Sequence, residues 1–195
     1  MSTPRHQLRI IGGSHRGRII RFSEAGRLPG FRPTPDRVRE TLFNWLGQTL
    51  EGRSCLDLFA GSGALALEAA SRGARRVVAV ERVPAAAAAI ERNRSRFALD
   101  AMVCHCADAL GFLTRTEERF DIIFLDPPFA LDLWRELARL VPARLAHGGA
   151  VYAEAGRPLA DFADLTLHRS GRAGMVHYHL FVHNDGAPAG QPSEA

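Results

Sequence analysis

Ser54-Cys55-Leu56-Asp57-Leu58-Phe59-Ala60-Gly61-Ser62-Gly63-Ala64-Leu65 decides the fold. Residues 54–58 read as a short apolar strand, two glycines follow, and a helix is expected over residues 64–72. Such a turn lets a ligand approach the backbone and aims unpaired helix N–H groups at it. The next predicted strand, residues 76–80, runs into Glu81, where a carboxylate can accept both hydroxyls of a ribose. Together these residues imply an adenosine-containing cofactor at the carboxyl ends of the strands. Gly61, Gly63 and Ala66 also satisfy the dinucleotide spacing G-x-G-x-x-A, so a nicotinamide enzyme and a methyltransferase both fit this loop. Asp57 favours the second: an acid there would repel a pyrophosphate, whereas it suits the ammonium of a methionine moiety.

Outward from that stretch, strands and helices alternate. Pro84 opens a helix through Phe97, and residues 101–105 and 120–125 read as third and fourth strands. A helix is expected over 131–145 with a kink at Pro142, then a fifth strand over 150–155 and a closing pair over 165–169 and 175–182. The alternation predicts an α/β fold: a seven-stranded, mostly parallel, Rossmann-like sheet with helices on both faces. Upstream, residues 7–11 and 18–22 flank Gly12, Gly13 and Gly17 and predict a small β-hairpin. Thr34-Pro35-Asp36 reads as a helix start with Thr34 as N-cap and Pro35 in the first helical position. The expected division is a basic hairpin arm over 1–30, a main domain over 31–183 and a disordered tail over 184–195.

The fourth strand runs into Asp126-Pro127-Pro128-Phe129. An exocyclic base amine is a poor nucleophile because its lone pair is delocalised into the ring. Acceptors on its hydrogens favour localisation of that lone pair, and Asp126 supplies a side-chain carboxylate and a backbone carbonyl. The prolines fix the backbone and remove competing donors. Phe129 offers a face for an extracted base. A nicotinamide enzyme has no evident use for this tetrapeptide.

Composition bounds the rest. The chain has 195 residues, 46% hydrophobic, with net charge +4. Residues 1–40 hold nine arginines and three acids, an excess of +6, so the remainder carries −2. A basic segment on a nearly neutral body points to a polyanion partner, the alternative being a solvated arginine-rich surface. Nothing approaches the ~18 apolar residues of a membrane span, and the N-terminus lacks a signal-like apolar run. Three cysteines suit a reducing cytoplasm rather than a disulfide framework. Cys104-His105-Cys106 falls short of a zinc site, so no metal is expected. His177 and His179, alternating in a strand, are expected on a surface face, and Trp45 and Trp134 as packing residues.

Residues 56–63 and 126–129 resemble class I amine methyltransferases in general. The stretches 9–13, 16–18, 32–46 and 71–74 narrow the likeness to the bacterial RsmD-type methyltransferases, which modify guanine N2 in small-subunit ribosomal RNA. The resemblance covers nearly the whole chain apart from the tail. It implies S-adenosyl-L-methionine as cofactor, lined by Asp57, Phe59, Ala60, Gly61, Ser62, Gly63, Glu81, Arg82, Asp108 and Ala109, with Asp108 on the adenine amine. It implies that Asp126, Pro127, Pro128 and Phe129 hold the target base. Arg9, Arg16, Arg18, Arg32, Arg37 and Arg39 would contact 16S ribosomal RNA in a small subunit or assembly intermediate, for a monomeric cytoplasmic enzyme. A DNA adenine or protein glutamine methyltransferase, and a non-catalytic RNA-binding assembly factor, remain as alternatives.

Overall fold

The computed structural model of the protein describes residues 7–22 and 34–183. Arg32, with the rest of residues 23–33, and the tail expected over 184–195 lie outside the described residues. A two-stranded hairpin, β1 (Gln7–Arg9) and β2 (Ile19–Arg21), comes first, then α1 (Asp36–Trp45). The main sheet starts with β3 (Ser54–Asp57), followed by α2 (Ala64–Ser71), β4 (Arg76–Glu81) and α3 (Pro84–Arg96). It continues with β5 (Met102–Cys106), α4 (Ala109–Arg115), β6 (Phe120–Leu125) and α5 (Trp134–Leu140). It closes with β7 (Leu145–Ala155), β8 (Thr166–Ala173) and β9 (Val176–Val182).

The sheet order is β5-β4-β3-β6-β7-β9-β8. The first five strands are mutually parallel, and β9 runs antiparallel between β7 and β8. Strand order therefore reverses between β3 and β6, the switch point at which open α/β sheets bind ligands. Alternate residues of the buried strands feed two cores. Cys55, Val77, Phe124 and Tyr152 pack under α1, α2, α3 and the hairpin; Leu56, Val78, Ile123 and Val151 pack under α4 and α5. Burial on both faces explains why these strands read as continuous apolar runs.

Several expectations are corrected. Thr34 does not cap α1: the helix starts at Asp36 after Pro35, and the Thr34 hydroxyl instead donates to Glu154 at 2.9 Å. Helix α4 was not anticipated. The helix expected over 131–145 is shorter, because residues 129–131 form a turn and bend and the helix starts only at Trp134, and Pro142 turns the end into a 3-10 turn, Pro142–Arg144. Strand β7 begins at Leu145, before the expected 150, with a register shift opposite Phe120 and Ile122. Strand β8 runs on to Ala173. His179 is not on a surface: β9 is an inner strand, and the buried ring accepts from Leu159 N at 3.0 Å and faces the Ala153 carbonyl at 3.2 Å. Burial lowers its pKa, which suits a neutral ring. Trp45 packs on Tyr178 and Trp134 on Phe162, as expected.

The hairpin is sewn onto α2 and α3. Ile11 N donates to Glu68 and His15 N to Ser71, and Arg21 exchanges two bonds with the Asn93 side chain. Arg39, on the buried face of α1, donates to Glu68 at 3.2 Å, to Asp36 at 2.6 Å and to the Arg9 carbonyl at 2.9 Å. Arg72 closes on the other Glu68 oxygen. With Arg39 at 0% exposure, its assignment to RNA contact is withdrawn: the guanidinium is spent on joining the hairpin, α1 and α2.

Candidate active site

A cleft of about 330 Å³ opens at the carboxyl edge of the sheet, over the switch point. The turn after β3 contributes Leu58, Phe59 and Gly61 to it, and the end of β4 contributes Glu81, Arg82 and Val83. The turn after β5 adds Asp108 and Ala109, and the segment after β6 adds Asp126, Pro127, Pro128 and Phe129. Glu154 of β7 completes the floor. Asp57 pairs in register with Phe124, so the glycine turn and the Asp-Pro-Pro-Phe segment leave from adjacent strands, about 4.8 Å apart.

The glycine turn is held by its own backbone and by Glu81. Gly61 and Gly63 have φ of 52° and 76°, in the left-handed region that disfavours side chains. A Cβ on Gly63 would also stand 2.8 Å from Ile90. Glu81 accepts from Gly61 N at 2.8 Å through one oxygen and from Val83 N at 2.7 Å through the other. Each oxygen keeps a lone pair for a further donor. Asp108 caps α4 by accepting from Gly111 N at 2.9 Å through Oδ2.

Asp57, Ala60, Ser62 and Gly63 stand behind this lining rather than on it. Asp57 is buried and accepts from Ala66 N at 3.1 Å, steadying the first turn of α2. Burial, with Glu81 and Glu154 nearby, raises its pKa to about 7.

At the other end, Asp126 faces the cleft while Phe129 is 50% exposed, an open aromatic face at the rim that packs one edge over Gly156. Burial, then the charges of Glu154 and Asp57, push the Asp126 carboxyl well above the usual carboxylate range. Glu154 was missed in the sequence. It is 3% exposed, accepts from Thr34 and Tyr152, and is also pushed up by burial.

Arg9, Arg16, Arg18 and Arg37 are exposed. Arg18 lies over the Phe97 ring at 5.6 Å, and Arg96 of α3 lies over the same ring at 4.6 Å. Arg96 thus joins the hairpin's basic face, which its position in the sequence does not reveal. Among the described residues, no three His, Cys, Asp or Glu side chains gather as a metal site, and no helix is long and apolar enough to cross a membrane.

A sheet of this order, with a glycine turn and an acid on adjoining strands and Asp-Pro-Pro-Phe at the switch point, has the class I methyltransferase architecture. The family model described as Conserved hypothetical protein 95 matches residues 8–182, and the chain belongs to that family. It is 40% identical over 192 residues to Ribosomal RNA small subunit methyltransferase D of Escherichia coli K12, covering 93% of this chain and 94% of that one. The protein of the same name from Haemophilus influenzae is 35% identical, covering 90% and 93%. The solved structure of the methyltransferase yhhF from Escherichia coli superposes with a TM-score of 0.81 at 38% identity, covering 91% of this chain and 98% of that one. The resemblance to RsmD-type methyltransferases read from residues 9–74 is borne out.

Proposed function

We propose that the protein transfers a methyl group from S-adenosyl-L-methionine to the exocyclic N2 amine of a guanine in 16S ribosomal RNA of the small subunit, in the cytoplasm. One observation carries the reading: Gly61, Glu81 and Asp108 line the same cleft as Asp126, Pro127, Pro128 and Phe129. The names of the two relatives support ribosomal RNA as substrate.

The cleft's residues fit the cofactor. Glu81 has lone pairs for ribose hydroxyls, Asp108 has a second oxygen for an adenine amine, and Leu58, Val80 and Leu110 supply apolar walls. Gly61 lets the methionine part approach the backbone. When bound, the cofactor supplies a methyl group on a positively charged sulfur.

The chain's own groups do the rest. Asp126, through its side chain and backbone carbonyl, accepts the amine hydrogens and turns the nitrogen lone pair toward the donor. Pro127 and Pro128 hold that geometry, and Phe129 stacks the base. Such positioning contributes on the order of 7–11 kcal/mol to barrier lowering. A paired guanine N2 is inaccessible, so the base is taken from a loop or flipped out. Arg9, Arg16, Arg18, Arg37 and Arg96 form the phosphate-binding face, with the hairpin as the RNA-contacting arm.

Unmethylated small subunits incubated with the protein and isotopically labelled cofactor should yield labelled N2-methylguanosine on nucleoside mass analysis. Label on another base, or none, would overturn the reading.

A further inference from the structure

Strand β7 carries, one residue before its end, an acid that the motif does not explain. Leu125 pairs in register with Ala153, so the residues one step further on, Asp126 and Glu154, stand side by side at the carboxyl edge of neighbouring strands. Asp126 and Glu154 follow Phe124 and Tyr152 on the same face of the sheet, and both line the cleft. Two hydroxyl donors, Thr34 and Tyr152, converge on one oxygen of Glu154, each at 2.9 Å. Among the described residues no hydrogen bond reaches its other oxygen.

We infer that Glu154 is a positioning residue for methyl transfer: braced by Thr34 and Tyr152, its carboxyl shares a single negative charge with Asp126 and so sets the protonation of the group that receives the amine proton. The inference rests on the amine-methylation reading and deepens it.

The chemistry requires such a receiver. As the methyl carbon–sulfur bond breaks and the carbon–nitrogen bond forms, the sulfur becomes neutral and the positive charge passes to the amine. Loss of one N–H proton to the Asp126 carboxylate leaves a neutral methylamine and a carboxylic acid, so charge and atoms balance. The titratable groups facing the pair are Asp57 from β3, Tyr152 from β7 and Tyr178, which pairs in register with Glu154 from β9. None of them forms an ion pair among the described residues. Two carboxyls so placed, with no cation among the described residues to offset them, cannot both ionise easily, and they titrate as a unit. Burial raises both, and the charge of Glu154 raises Asp126 further, so the acid limb of turnover should lie above the ordinary carboxylate range.

Glu154→Gln tests this. Glutamine keeps the shape and an acceptor for Thr34 and Tyr152 but removes the competing charge. The pH profile of kcat, at saturating cofactor and RNA, should keep its form while its acid limb moves down by about one pH unit or more. An unmoved limb in a variant that melts and binds cofactor like wild type would overturn the inference. If Glu154→Gln fails to fold, Glu154→Asp serves: it retains the charge, and its acid limb should stay within a few tenths of a unit of wild type. A limb shifted down as far as one unit in Glu154→Asp would equally overturn it. Wild-type protein that methylates no guanine amine would sink the parent reading instead, so the two failures are distinguishable.

Discussion

At the β4 end of the cleft, Glu81 draws backbone N–H groups from Gly61 and Val83, at 2.8 and 2.7 Å. At the β6–β7 end, Asp126 and Glu154 draw no backbone donor among the described residues and face each other across adjacent strands. Backbone donors fix a carboxylate in place, which suits a half-site that grips the same polar ligand in every cycle. A pair of acids without such donors leaves its proton free to move, which suits a half-site where a proton must be taken up and released. One edge of one sheet thus carries a rigid grip and a labile proton store on opposite sides of β3.

Substitutions at the two ends should fail in different ways. Asp126→Ala should lower turnover by about 10²-fold or more, by analogy with loss of a transition-state hydrogen-bonding group, with cofactor affinity unchanged. Near-wild-type turnover in single-turnover assays would contradict its role. Glu81→Ala should act in the opposite sense: cofactor Kd weakens by roughly 10- to 100-fold, while kcat at saturating cofactor falls much less. Calorimetric titration read beside kcat checks the split, and an equal fall in both would erase the distinction between the ends.

Phe129→Ala should raise KM for RNA by about tenfold, in line with the ~1–3 kcal/mol of a base–aromatic stack. Unchanged cofactor binding is the control.

The smallest effect is on stability. Asp57 has a folded-state pKa of about 7 against an ordinary value of 3.8, so between those values the folded chain keeps a proton that the unfolded chain has lost. Stability supplied by this group therefore falls as pH rises from about 4 to about 7 and is level above. The raised carboxyls of Asp126 and Glu154 act in the same direction. Asp57→Asn, which keeps an acceptor for Ala66, should gain on wild type as pH rises from 5 to 8 in urea melts. A constant difference across that range would show that Asp57 is ionised throughout.

Much of the fold was legible because strands covered on both faces announce themselves as apolar runs. Residues 54–57, 76–81 and 120–125 needed no partner to be recognised. Helix α4 was not: its seven residues span too few turns for a periodicity to register, and its start depends on Asp108, read only as a ligand residue. In the site, Gly61, Glu81 and Asp126 stood out because each lies at or just beyond the end of a strand and is a residue that a plain turn does not need. Glu154 did not, since one acid in an apolar run looks alike whether it meets water or a cleft. Only the register of β7 on β6 reveals its neighbour. Arg39 misled for the same reason: its buried partner, Glu68, is 29 positions away, and the local pair with the exposed Asp36 does not mark it as buried.

The stitching of the hairpin to the body has a consequence for biosynthesis. Strands β1 and β2 have three residues each, too few to persist alone in water, and their anchors Glu68, Ser71 and Asn93 lie 56 to 72 positions downstream. The basic segment therefore leaves the ribosome before its anchors and folds late, after α3 has been synthesised. Until then it is a nascent arginine-rich strand with no surface to hold it. A chain stopped short of Asn93 should accordingly leave residues 7–21 open to protease, and completion of α3 should close them.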